Sequence, residues 1–241
     1  MDSSSVPTPD VSVILPCAGF GTRFGAPYSK ELHCLAPGVT VLDRSLEAVA
    51  ELARSGLAVR LVVVFETHKL DTVSYLARYA QTFQIVFVYQ DQSSQPELDG
   101  AIRSALPMTH GQVALVLPDI VVTGAGSSGS LLAALRHTET AGWSVVAAEE
   151  RNPDILRQMG ALALAGGDGG QGDGDGVRTV GAAVDKPADP SAYNAFWGMV
   201  AVTEENAHRL PDVVRKGADS PLVGAAAVLV EGITNYNTVE G

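Results

Sequence analysis

Behind the apolar run VSVIL lies PCAGFGTRFGAPYSKEL, residues 16–32, a segment whose glycines and cations could hold a phosphate. Gly19 and Gly21 remove side chains, so that backbone N–H groups can close around phosphate oxygens, and Arg23 and Lys30 add positive charge beside them. In an open parallel sheet ligands sit beyond the carboxyl ends of the strands, and the loop after the first strand is a usual place for phosphate. The bare spacing of Gly19, Gly21 and Gly25 would also suit a dinucleotide-dependent oxidoreductase. Three features count against that reading. Gly25-Ala-Pro27 prolongs the loop where a dinucleotide loop enters its helix, and the loop itself carries two cations. No acidic residue ends a second strand about 20 residues on, where a ribose ligand belongs. Nor does Gly-Lys-Ser/Thr follow, so this is not a P-loop. Cys17 reads as a small buried residue, since a nucleophilic thiol needs a paired base. The five histidines show no ligand spacing.

The elements that must position this loop alternate in type. VSVIL, TVLDRSLEAVAELARSG and VRLVVVF read as strand, helix, strand: Leu42, Leu46, Val49 and Leu52 recur at three- to four-residue spacing, and Gly56 stands at the helix end. THKLDTVSYLARYA and QIVFVY follow, then VALVL at 113–117, a helix over 130–142 and WSVVAAE at 143–149. The strands are continuous Val, Leu, Ile and Phe, as parallel strands buried on both faces require. GALALA at 160–165 and VRTVGAAV at 177–184 read as an antiparallel hairpin joined by GGDGGQGDGDG, a solvated linker that matches no calcium loop.

Over 241 residues, 27 acidic side chains face 16 basic ones, a net charge of −11 with neutral histidines. Such a chain is long enough to bury a core without staples, and its acidity argues against holding a nucleic acid polymer on a broad basic face. Any phosphate chemistry must be local. Two cysteines make neither a disulfide framework nor a zinc site, and nothing resembles a secretory leader, so the cytoplasm is the expected compartment. No apolar run approaches the roughly 20 residues that span a bilayer, so no membrane is expected as a partner. Residues 1–10 read as a flexible tail and 11–241 as a single domain.

AGFGTRFGAPYSKEL resembles the signature loop of the nucleotidyltransferases that make nucleotide sugars, G-x-G-T-R followed some residues on by Pro-Lys. Four further segments are similar to that family's, in the same order: QPELDG at 95–100, LPD at 117–119, VDKP at 184–187 and NYNT at 235–238. The resemblance implies a Rossmann-like three-layer α/β domain, its sheet mostly parallel, with an antiparallel β extension near 160–203 on the acceptor side. It also implies transfer of a nucleotidyl group from an NTP to a sugar or sugar-like 1-phosphate, with release of pyrophosphate.

By the same resemblance, Ala18, Gly19, Gly21 and Thr22 would cradle the triphosphate, and Gln95 and Gly100 would meet the base. Arg23 would hold the leaving phosphates and Lys30 would bridge the reacting ones. Asp185 and Lys186, with Gly160 and Asn194 nearby, would face the sugar phosphate, and Asp119 and Asn235 would hold Mg²⁺. The pattern departs from the family's at two places: Ser29 stands where the loop lysine is preceded by proline, losing a fixed φ, and Asn235 replaces a carboxylate by a neutral oxygen donor. The short loop is closer to cytidylyltransferases for methylerythritol phosphate, so a cytidylyltransferase for another alcohol phosphate stays open. So do a catalytically dead nucleotide-binding module, the oxidoreductase and a homodimeric assembly.

Overall fold

The computed structural model describes residues 8–21, 24–91, 93, 96–165, 177–215 and 220–236. Strand β1 (Val11–Pro16) leads through the glycine loop to a 3-10 turn, Lys30–Leu32, then to β2 (Cys34–Ala36), β3 (Val39–Thr40), α1 (Val41–Ser45), α2 (Glu47–Arg54) and β4 (Val59–Phe65). There follow α3 (Leu70–Leu76), β5 (Gln84–Tyr89), α4 (Glu97–Ala105), β6 (Gln112–Val116), β7 (Ile120–Thr123), α5 (Ser130–Ala141) and β8 (Trp143–Glu149). The rest comprises α6 (Pro153–Leu156), β9 (Gly160–Leu164), β10 (Val177–Asp185), β11 (Ala195–Val202), a 3-10 stretch Glu204–Val214, β12 (Ala226–Leu229) and β13 (Gly232–Asn235).

Thr40 opens the first helix with a reciprocal cap, its hydroxyl accepting from the Asp43 N–H while the Asp43 carboxylate accepts from the Thr40 N–H at 2.7 Å. Burial pushes the Asp43 carboxyl up, but hydrogen bonds from Tyr75, Tyr79 and Thr40 outweigh it and hold the group below its ordinary range. The expected single helix breaks at Leu46 and resumes as α2, and Gly56 just past its end takes φ +90°, a conformation that suits glycine.

Among the described residues the main sheet has nine strands, in the order β5-β4-β1-β6-β11-β8-β12-β10-β9. Strands β5, β4, β1 and β6 are mutually parallel, as the βαβ reading requires. On β1, Val13 and Leu15 face one apolar cluster, shared with α1, α2 and α5, while Ile14 faces another, shared with α4 and the 3-10 stretch. These residues are fully buried, so the alternating side chains of one strand serve two cores.

The expectation of a mostly parallel sheet does not hold: the sheet is mixed. Strand β11 runs antiparallel to both β6 and β8, and β10 runs antiparallel to β12 and β9. All eight residues of β11 are buried. Both β10 and β11 lie within 160–203, where an antiparallel extension was expected, but β11 sits inside the sheet between β6 and β8 rather than beside it. The β9–β10 pairing is the antiparallel hairpin that was expected, and its Asp/Gly linker lies outside the described residues. No helix among the described residues is long and apolar enough to cross a membrane.

Candidate active site

A cleft of about 800 Å³ opens where the parallel strands end. Pro16 to Phe20 enter it after β1, Lys69 after β4, Gln90 after β5, and Leu117 to Asp119 after β6. The opposite wall is built by Met159 and Gly160 at the start of β9, Asp185 and Lys186 at the end of β10, Trp197 on β11, and Asn235 at the end of β13.

On the first wall the 3-10 turn Lys30–Leu32 presents Lys30, whose ammonium pairs with the Asp119 carboxylate across the cleft floor. Gly21 has φ +62°, and a β-carbon there would come within ordinary contact of the Lys30 stem, so the loop glycine is required by the backbone. Gly19 has open space around its α-carbon and lines the cleft beside Ala18. Phe20 projects from the loop and stacks on His68, with 4.6 Å between ring centroids. His68 is held by Glu66, whose carboxyl is lowered to about 2 by hydrogen bonds from Thr67 and His68. Cys17 is buried beneath, and burial, then the Glu31 carboxylate, pushes its thiol up, away from the thiolate form that attacks.

Asp119 and Asn235 are brought together by a small antiparallel ribbon of β7 and β13: Asn235 pairs with Ile120, and the Tyr236 N–H donates to the Asp119 carbonyl at 2.9 Å. The Asn235 amide donates to the Met159 sulfur at 3.2 Å, while its Oδ1 is buried with no hydrogen-bond partner among the described residues. A carboxylate and an unsatisfied amide oxygen are hard oxygen donors, the kind that would suit a divalent cation such as Mg²⁺. Among the described residues no group of three His, Cys, Asp or Glu could enclose a metal ion.

On the opposite wall, Asp185 pairs with Gly160 across the β9–β10 ladder. Lys186 takes φ +51°, a left-handed conformation rare for a side-chain-bearing residue, and its N–H donates to the Met159 carbonyl at 3.0 Å. Trp197 lies so close over Gly160 that a β-carbon there would collide with the indole nitrogen edge. Gly160→Ala should therefore displace the indole, costing about 1–3 kcal/mol in urea unfolding. An alanine variant of unchanged stability would show that the indole gives way freely.

Eight residues expected from sequence line this cleft: Ala18, Gly19, Lys30, Asp119, Gly160, Asp185, Lys186 and Asn235. Asn194 is not among them. Its side chain clamps β9 instead, accepting from the Leu164 N–H at 2.8 Å and donating to the Leu164 carbonyl at 3.3 Å. Gly100 is buried in α4 while its neighbours Asp99 and Ala101 face the cleft. Thr22, Arg23 and Gln95 lie outside the described residues. Sequence reasoning missed Gln90 and Trp197. Gln90, a polar residue closing the run QIVFVY, is buried and donates to the Glu97 carbonyl at 2.9 Å, and that position was the available signal.

No protein-family model and no curated protein matches the sequence. Solved structures do match. UDP-glucose pyrophosphorylase from Acinetobacter baumannii superposes with a TM-score of 0.66 at 20% identity, over 94% of this chain and 88% of that one. A UDP-glucose pyrophosphorylase complexed with UDP-glucose gives 0.66 at 15% identity, over 95% of this chain and 94% of that one. Mannose-1-phosphate geranyltransferase from Thermus thermophilus gives 0.61 at 16%, over 95% of this chain and 76% of that one. The chain therefore shares the mixed α/β fold of solved nucleotidyltransferase structures.

Proposed function

We propose that this protein transfers a nucleotidyl group from an NTP to a sugar or sugar-like 1-phosphate. The observation that carries the reading is the division of one cleft into two walls: the glycine loop, Lys30 and Asp119 on one, and Gly160, Asp185, Lys186 and Asn235 on the other. The likeness to pyrophosphorylases, one of them solved with UTP bound, supports it.

The reaction joins an oxygen of the acceptor phosphate to the α-phosphorus and breaks that phosphorus from the β-phosphate, releasing pyrophosphate. It needs alignment and charge neutralisation more than proton transfer. The glycine loop from Ala18 to Thr22 receives the triphosphate through backbone N–H groups, Arg23 holds the leaving phosphates, and the Lys30 ammonium neutralises charge as it builds between donor and acceptor. Gln95 and Gly100 belong to the base side. Asp185 and Lys186 bind the acceptor, and Asn194 shapes that wall through Leu164 rather than from within the cleft. Mg²⁺ held by Asp119 and Asn235 would draw charge from the α-phosphate and the incoming oxygen. We read residues 11–241 as one domain, acting in the cytoplasm.

A net charge of −11 repels this substrate pair, so activity depends on local reversal of sign. The test is a pyrophosphate-release screen of the common NTPs against a panel of sugar 1-phosphates, with and without a chelator. Release that requires both substrates and stops in the chelator is expected. NTP binding without turnover would assign a dead binding module, and a nicotinamide spectral change an oxidoreductase.

A further inference from the structure

Lys30 stands between two residues that are both tied to one short segment. Ser29 donates to the Asp71 carboxylate twice, through its N–H at 3.2 Å and its hydroxyl at 2.7 Å. Glu31 is buried and receives the Lys69 ammonium on both oxygens at 3.1 Å and the Thr72 hydroxyl at 2.8 Å. These anchors all come from residues 69–72, where a 3-10 turn runs into α3. Asp71 is itself fixed by the Thr72 N–H at 2.7 Å. Burial tends to raise the Asp71 carboxyl, but the hydrogen bonds from Ser29 and Thr72 outweigh it and hold the group below its ordinary range.

Ser29 is held at φ −61°. That is the angle a proline ring imposes covalently. A serine left to itself would sample the wider allowed map, and confining it to one well costs conformational entropy. The turn that carries Lys30 begins at this residue: the Ser29 carbonyl accepts from the Leu32 N–H at 2.9 Å and the Lys30 carbonyl from His33 at 3.0 Å.

We propose that Asp71 is a positioning residue for Lys30, doing with two hydrogen bonds what a proline ring at position 29 would do with a covalent one. The proposal rests on the nucleotidyl-transfer reading only for what Lys30 does to substrate; the tether itself is independent of it. Asp71 lies at the surface, so removing its carboxylate frees the loop without opening a core. Introducing proline at 29 restores the angle and deletes the N–H that Asp71 had satisfied.

The test compares wild type, Asp71→Ala and the double variant Ser29→Pro/Asp71→Ala by two readouts, amide hydrogen exchange at Leu32 and His33, and pyrophosphate release under saturating substrates. Asp71→Ala should speed exchange at both amides about tenfold and lower kcat about tenfold, with the KM for the nucleotide within about threefold. The double variant should return both quantities to within about threefold of wild type. Unchanged exchange in Asp71→Ala, or a double variant no better than the single one, overturns the proposal. Should the wild type release no pyrophosphate with any substrate pair, the nucleotidyl-transfer reading fails on that result, and the exchange readout still decides the tether.

Discussion

Lys30→Met should lower turnover by about a hundred- to a thousandfold, the range found when one preorganised charge-stabilising donor is removed from a reacting centre. Methionine keeps most of the lysine stem, which packs near Gly21, and deletes only the ammonium. In the free protein that ammonium faces the Asp119 carboxylate, which is 7% exposed, so the variant also leaves a buried anion without its partner. The two effects separate in the measurement. Combining Lys30→Met with Asp119→Asn removes the unpaired charge and should recover melting temperature, while turnover stays as low or falls further. A Lys30→Met variant that releases pyrophosphate within threefold of wild type at saturating substrates would remove this lysine from the chemistry.

The largest expected loss of stability comes from Lys69→Met. Lys69 and Glu31 are 2% and 1% exposed, and the carboxylate has Lys69 and Thr72 as its hydrogen-bond donors among the described residues. Taking away the ammonium strands a charge where water cannot reach it, at about 3–5 kcal/mol. Replacing both by methionine removes charge and counter-charge together and should recover most of that loss, because a buried pair stabilises little relative to an apolar replacement. Urea unfolding of the single and double variants reads both quantities. A single variant that loses under 1 kcal/mol would mean that water reaches the Glu31 carboxylate after all. Since Glu31 directly follows Lys30, the apolar pair should retain stability and still misplace the turn that carries Lys30.

What could be read in the sequence was what neighbouring residues determine among themselves. The glycine loop was legible because a φ of +62° at position 21 is a local demand that glycine meets. Strands β1 and β4 and the helix after Thr40 were legible because apolar spacing records which side chains face a core. The segments at 117–119, 160 and 185–186 also reach the cleft.

Other features depended on partners far along the chain. Nothing within NYN announces that β13 will pair with β7, set Asn235 opposite Ile120 and leave its Oδ1 buried with no partner among the described residues. Asn194 looked available for substrate, but a backbone N–H and carbonyl at Leu164 occupy its amide. Ser29 looked like a loss of rigidity, and Asp71, on another element, restores it. Local pattern determined the type of each element and the loop's capacity for phosphate, because propensity and periodicity act over a few residues. Only the tertiary structure decided the place of β11 within the sheet, the unpartnered Asn235 oxygen and the tether of the loop lysine, because pairing and hydrogen bonding join groups whose sequence positions carry no mark of one another.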